Sequence, residues 1–157
     1  MSKKFWILTP SEHSNERIFT DRFTEINKEL APKLEPHYDL KTKEQWWVLL
    51  EPWEVKYDDV IYRIPAGFIT DGATIPRILW PIFGTPTDIP RLYVALLHDY
   101  LYTVGPQIDP NPKCHLRRTA DKIYRDFNIQ LGEPVCRTKI EYRFIRMFGG
   151  SHWRVES

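Results

Sequence analysis

Trp53-Glu54-Val55-Lys56-Tyr57-Asp58-Asp59-Val60-Ile61-Tyr62-Arg63-Ile64 carries the pattern from which the rest of the fold follows. Trp53, Val55 and Tyr57 alternate with charged residues. After the acidic pair, Val60, Tyr62 and Ile64 alternate in the same way. Period-two alternation is a strand signal, because successive side chains of a strand point to opposite faces. Two such runs around Asp58-Asp59 predict an antiparallel hairpin. Upstream, Trp46-Trp47-Val48-Leu49-Leu50 is rich in β-formers, and Pro52 marks an edge or bend before the hairpin. Downstream, Pro65-Ala66-Gly67 turns the chain into Phe68-Ile69-Thr70, a further strand.

Beyond the strands the period changes. Asp71-Gly72 is turn chemistry, and Ile78 to Gly84 is apolar but broken by Pro81, a buried loop or short helix. Three helices follow. The first is predicted from about Pro90 to Tyr102, capped by Thr87 or Asp88 and ended near Gly105-Pro106. The second opens with Asn111-Pro112, a capping residue before a proline at the first helical position. It carries Leu116, Ala120, Ile123, Phe127 and Leu131 as its core stripe, and Gly132 ends it. The third starts at Pro134 and presents Ile140, Phe144, Met147 and Phe148.

On the N-terminal side, Phe5 to Leu8 reads as a short strand. Phe19, Phe23, Ile26 and Leu30 share one helix face, and Leu34 to Lys43 reads as a connection. Strands followed by helices describe an α+β fold. A small antiparallel sheet over residues ~46–70 packs against about three C-terminal helices, with an additional N-terminal helical segment. Residues 1–44 are read as an extension with one amphipathic helix, and 45–157 as a single core domain.

The 157 residues suit a single domain, and 42% hydrophobic with 14% aromatic content suits a packed core. The net charge of +1 makes no global case for nucleic acid. Lys113 to Ser157 holds ten Lys/Arg and five Asp/Glu, against four and eight in Gln45 to Pro112. A solvated basic helix surface, with Arg137, Lys139, Arg143 and Arg146, accounts for this more simply than a phosphate-binding face. Two cysteines make no disulfide framework. Leu92 to Leu97 is the longest clean apolar run and is far too short to span a bilayer. No signal peptide opens the chain, so a soluble protein in a reducing cytosol is expected.

The residues that invite chemistry gather near Leu96-Leu97-His98-Asp99-Tyr100-Leu101-Tyr102. Consecutive helical residues diverge by about 100°. His98 and Asp99 therefore cannot chelate one ion as an i, i+4 pair does. His98 shares a face with Val94 and Tyr102. On the second helix Arg117, Asp121, Tyr124 and Asn128 lie on one flank. If the two helices are antiparallel neighbours, Asp121 faces His98 or Asp99. A His held by one aspartate is workable general-base geometry. The competing reading is a buried polar clasp with Arg117 or Arg118 pairing Asp99. Asp71, beside Thr70, completes an oxygen-rich metal site with Asp99 or Asp121, or else caps its own turn through the amides of Ala73 and Thr74. Cys114-His115 and Cys136 lack zinc-ligand spacing. His13, His37 and His152 sit in polar or terminal contexts and read as surface residues. No phosphate loop and no nucleophilic serine or cysteine stands out.

Pro65-Ala66-Gly67-Phe68-Ile69-Thr70-Asp71-Gly72-Ala73-Thr74-Ile75-Pro76-Arg77, His98-Asp99-Tyr100-Leu101-Tyr102, Arg118-Thr119-Ala120-Asp121 and Phe148-Gly149 with Trp153 together resemble a phage and prophage family, domain of unknown function 1353. The resemblance covers roughly Trp53 to Trp153. It implies a viral or prophage origin, often beside tail or lysis genes, and supplies no activity. His98-Asp99-x-x-Tyr102 with a later aspartate is also similar to the secreted phospholipase A2 pattern. That similarity implies His98 as the base for water, Asp99 as a calcium ligand and Asp121 as the group that orients His98. The flanking cysteines and glycine-rich calcium loop of that pattern are missing, and Asp71-Gly72 is a poor substitute.

Two functions follow as expectations. One is a small hydrolase using His98, Asp121 and Asp99, metal-assisted if a divalent cation such as calcium is held by Asp99 and Asp71, acting on an ester or related bond of the host envelope. Tyr102, Arg117, Arg118, Asp71 and Thr70 would support it from around the site. The other is a non-catalytic virion or tail-assembly protein, or a host-interacting effector, whose His/Asp/Arg cluster is structural. The implied partners are other phage structural proteins or host envelope components. The implied location is the host cytoplasm during expression, with virion association under the second reading.

Overall fold

The computed structural model describes residues 5–8, 18–19, 31–72, 81 and 91–155. Among these residues it has an α+β architecture of small antiparallel sheets and three long helices. The chain divides into two compact units, Met1–Asp71 and Gly72–Ser157.

The described residues of the first unit form seven strands: β1 (Phe5–Leu8), β2 (Ile18–Phe19), β3 (Leu34–Tyr38), β4 (Gln45–Leu49), β5 (Trp53–Tyr57), β6 (Val60–Ile64) and β7 (Ile69–Thr70). One sheet has the order β2-β1-β5-β6 and the other β3-β4-β7, with every pairing antiparallel. The expected hairpin forms around Asp58-Asp59, with Tyr57 opposite Val60 and Trp53 opposite Ile64. Asp58 and Asp59 both take positive φ, 47° and 66°. This is the two-residue turn whose twist matches paired strands, and aspartate tolerates it. Trp53, Val55 and Tyr57 are all buried, as their alternation requires. Gly67, at φ +86°, turns the chain into β7, and its N–H donates to the Leu49 carbonyl.

Leu34 to Tyr38 is a strand and not the expected connection. Pro36 misleads the reading. It lies opposite Trp47 on an edge strand, where a missing N–H costs no ladder bond on the open side. The helix expected over Phe19 to Leu30 falls outside the described residues except for Phe19, which lies in β2.

The second unit holds α1 (Arg91–Ile108), α2 (His115–Gln130) and α3 (Val135–Phe148), followed by a 3₁₀ turn (Gly149–His152). In α1, Leu92, Val94, Ala95, Leu96, Leu97 and Leu101 are buried, which makes it the central helix. It runs through Gly105-Pro106, where an end was expected. Asp109 N–H closes onto the Gly105 carbonyl, and the Trp153 indole N–H donates to the Asp109 carbonyl at 2.8 Å. The candidate caps Thr87 and Asp88 lie outside the described residues. The cap of α2 is Cys114, whose sulfur accepts the Arg117 N–H at 3.4 Å. Asn111 instead closes the preceding turn onto Lys113 N–H. Leu116 is exposed, and the buried stripe of α2 includes Arg117, Asp121, Tyr124 and Asn128. On α3 the core face is Thr138, Glu141 and Ile145, not the expected Ile140, Phe144, Met147 and Phe148. A polar pair made through Glu141 outranks the apolar stripe there.

Gly105 is where Trp153 meets the backbone. A Cβ at this position would stand 2.1 Å from the indole Cη2. Overpacking of this kind costs about 1–3 kcal/mol, more than the roughly 1 kcal/mol of helix propensity that alanine adds. Gly105→Ala is therefore expected to lower stability in urea unfolding. An unchanged midpoint would mean that the indole moves away freely.

Candidate functional site

Asp121 is the centre of the second unit's polar cluster. Its side chain is 0% exposed. It lies on the flank of α2 that faces α1, one residue after core Ala120. His98 and Tyr102 lie one turn apart on α1, with ring centroids 4.3 Å apart. His98 meets Asp121, and Tyr102 meets both Asp121 and Arg117. Residue numbers rise on one helix as they fall on the other, so the two run antiparallel.

The carboxylate is surrounded by donors. His98 Nε2 lies 2.9 Å from Oδ1, and Tyr102 Oη donates to the same oxygen at 2.6 Å. Arg146 Nη1 donates to Oδ2 at 2.6 Å, and Arg117 Nε stands 3.8 Å from it. Burial alone would raise the Asp121 pKa. The bonds from His98, Tyr102 and Arg146 outweigh it and hold the carboxyl below its ordinary value. Tyr102 is pushed up by burial first and by the Asp121 charge second. It therefore remains a protonated donor.

Arg117 ties the cluster to the ends of two helices. Its Nε donates to Tyr102 Oη at 3.0 Å, and Nη1 donates to the Pro112 carbonyl at 2.8 Å. Nη2 donates to the carbonyls of Ile145 and Arg146, at 2.8 and 2.9 Å. The Ile145 carbonyl also accepts the Gly149 N–H, and the last carbonyls of a helix are short of intrahelical donors, so this guanidinium adds a cap to α3 from the side. Gly149 allows the approach, since a Cβ there would lie 2.9 Å from Tyr102 Oη and 3.3 Å from Arg117 Nη2.

His98 is 5% exposed and lies between the rings of Tyr102 and Tyr124. The carboxylate at Nε2 makes that nitrogen the donor. In the neutral ring this leaves Nδ1 holding the lone pair.

Of the site residues expected from sequence, His98, Asp121, Tyr102 and Arg117 come together in one cluster. Asp99 is half-buried, and its carbonyl accepts the Thr103 hydroxyl. Arg118 is exposed and has no side-chain bond to the cluster, and where Arg117 or Arg118 was expected to pair Asp99, Arg117 and Arg146 instead face Asp121. Thr70 is buried in β7 and Asp71 is exposed at the end of the first unit. Ala73 and Thr74, to which Asp71 was expected to bond, lie outside the described residues. His37 pairs with Glu35 on β3.

Among the described residues no three His, Cys, Asp or Glu side chains gather as a metal site. The oxygens of Asp121 are taken by neutral and cationic donors. The described residues do not fit a calcium ion.

The sequence reading places Arg146 on a solvated face, yet it reaches Asp121. Its only signal is its place directly after the core residue Ile145. A second buried cluster also escapes the sequence reading. Arg91 Nη2 donates to Glu141 Oε1 at 2.7 Å, with both side chains 3% exposed, and Tyr124 Oη donates to Glu141 Oε2 at 3.2 Å. Burial pushes the Glu141 carboxyl up against the pull of Arg91.

The family model described as "Protein of unknown function (DUF1353)" matches residues 47–145. That span contains His98, Tyr102, Arg117 and Asp121. The uncharacterized protein y4jT of Sinorhizobium fredii (strain NBRC 101917 / NGR234) is 28% identical over 100 residues, covering 61% of this chain and 26% of that protein. The chain thus corresponds to about a quarter of that relative's length. No solved structure matches the chain. Among the described residues no helix is long and apolar enough to cross a membrane.

Proposed function

The chain belongs to the DUF1353 family, and from that premise we propose that it is a small hydrolase of phage or prophage origin in which His98 acts as a general base on water. The observation that carries this reading is the 2.9 Å contact of His98 Nε2 with the buried Asp121 carboxylate. A base must have its proton-bearing nitrogen fixed, and a carboxylate on the far side of the ring does this. The similarity to the phospholipase A2 pattern assigns the same roles to His98 and Asp121, and Tyr102 supports Asp121 by its own bond.

The reaction is ester hydrolysis. His98 Nδ1 takes a proton from water as the water oxygen bonds to the acyl carbon. The acyl–oxygen bond then breaks, and the proton passes to the leaving oxygen, giving an acid and an alcohol. An ester of the host envelope is the substrate class. Asp99 is placed beside this machinery and has no step assigned to it.

A second reading draws on Arg117. A guanidinium that spends its nitrogens on Tyr102 and three carbonyls is built to lock helices together. Under that reading the cluster is structural, in a virion or tail-assembly protein or a host-interacting effector.

The deciding experiment is hydrolysis of a panel of carboxylic esters and phospholipids by the purified full chain, with and without added calcium. Turnover that depends on His98 supports the hydrolase. If no ester of either class is turned over, and His98 substitutions affect stability alone, the structural reading replaces it.

A further inference from the structure

The outer face of α3 is apolar where a helix surface is usually polar. Ile140, Phe144, Met147 and Phe148 recur at spacings of four, three and one, which confines them to an arc of about 100°. Met147 is 71% exposed, Phe148 57% and Ile140 45%. The rings of Phe144 and Phe148 stack at 5.8 Å. Lys139 and Arg143 run along one edge of this stripe and are exposed. Among the described residues neither forms an ion pair. The nearby acids are already engaged: Glu133 with Arg137, and Glu141 with Arg91 and Arg137.

We propose that this face of α3 docks on an anionic lipid surface. Phe144, Met147 and Phe148 enter the headgroup–acyl boundary, and Lys139 and Arg143 lie against lipid phosphates. An apolar stripe bordered by unpaired cations is the pattern of an interfacial helix, whose binding adds buried apolar area to attraction for anionic lipid. A second copy of this chain is a poorer occupant. An antiparallel two-fold contact through the stripe would set its cationic edge against the same edge of the other copy. The proposal uses no group of the His98 cluster and stands whether or not His98 is a base.

Co-sedimentation of the full chain with vesicles tests it, using phosphatidylglycerol–phosphatidylcholine mixtures against pure phosphatidylcholine. The chain is expected to bind the anionic vesicles, to lose binding as salt is raised, and to leave neutral vesicles unbound. Met147→Glu and Phe148→Glu, at exposed positions that leave the core intact, should each weaken binding by at least about tenfold, since burying such a side chain is worth more than the 1.4 kcal/mol a tenfold change requires. Lys139→Glu with Arg143→Glu should do the same at low salt. Circular dichroism checks that each variant is folded. No binding to anionic vesicles at low salt, or binding unchanged in Phe148→Glu, overturns the proposal. So does a concentration-dependent dimer that Met147→Glu dissolves, which would make the stripe a self-association surface.

Discussion

His98→Gln is expected to reduce ester hydrolysis by about 10²–10⁴-fold, the range a positioned general base contributes. Glutamine is the informative substitution because it separates the two roles of the ring. Its amide keeps an N–H donor for Asp121 Oδ1, which His98 Nε2 contacts at 2.9 Å. It has no basic nitrogen to accept a proton from water. The fold is therefore expected to survive, while the rate falls. His98→Ala removes both functions. It leaves a buried carboxylate short of one donor, at a cost of about 1–3 kcal/mol. If both variants lose the same stability and the wild type turns over no ester, His98 is a clasp. The check is a turnover assay paired with urea unfolding for each variant.

Asp121→Ala is expected to destabilise the fold by about 3–5 kcal/mol, the usual cost of removing one partner from a buried ionic cluster. The carboxylate is fully enclosed and anchors Arg146, Tyr102 and His98, with Arg117 nearby. Without it two guanidiniums face each other in a partly dry site. The pH dependence has a definite sign. The folded-state pKa of Asp121 is depressed. Its stabilisation is thus fully present above the unfolded carboxyl value of about 3.9 and is lost as pH falls from there through the folded value. Wild type should therefore lose stability below about pH 4 faster than Asp121→Asn, whose amide does not titrate. In urea unfolding of both proteins across pH 2.5–7, about equal acid slopes would show that folding does not depress the Asp121 pKa.

Much of this architecture is legible in the chain itself. The hairpin follows from the alternation of Trp53, Val55 and Tyr57 around an aspartate pair that accepts left-handed backbone. The His98–Asp121 contact follows from placing two helices antiparallel across a short loop. What escapes the sequence is long-range competition for burial. Period alone puts Met147 and Phe148 inward, but Glu141 and Thr138 occupy that face because Arg91 and Tyr124 supply partners for Glu141 from other helices. Arg146 looks like one more surface cation until a carboxylate on α2 stands within 2.6 Å. Arg117 and Arg118 look interchangeable in sequence. The helix angle between them sends one into the cluster and the other to solvent.

In the proposed reaction Asp121 fixes the proton of His98 on Nε2 and so leaves Nδ1 as the base. Long-range ¹H–¹⁵N correlation spectra of histidine-labelled protein test it most directly. The His98 signals are assigned among the five histidines by their loss in His98→Gln. At alkaline pH the neutral ring should carry its proton on Nε2 with Nδ1 bare, and Asp121→Asn should weaken that preference. A neutral His98 protonated on Nδ1, or a tautomer mixture that Asp121→Asn does not change, would rule out Nδ1 as a base held ready by Asp121.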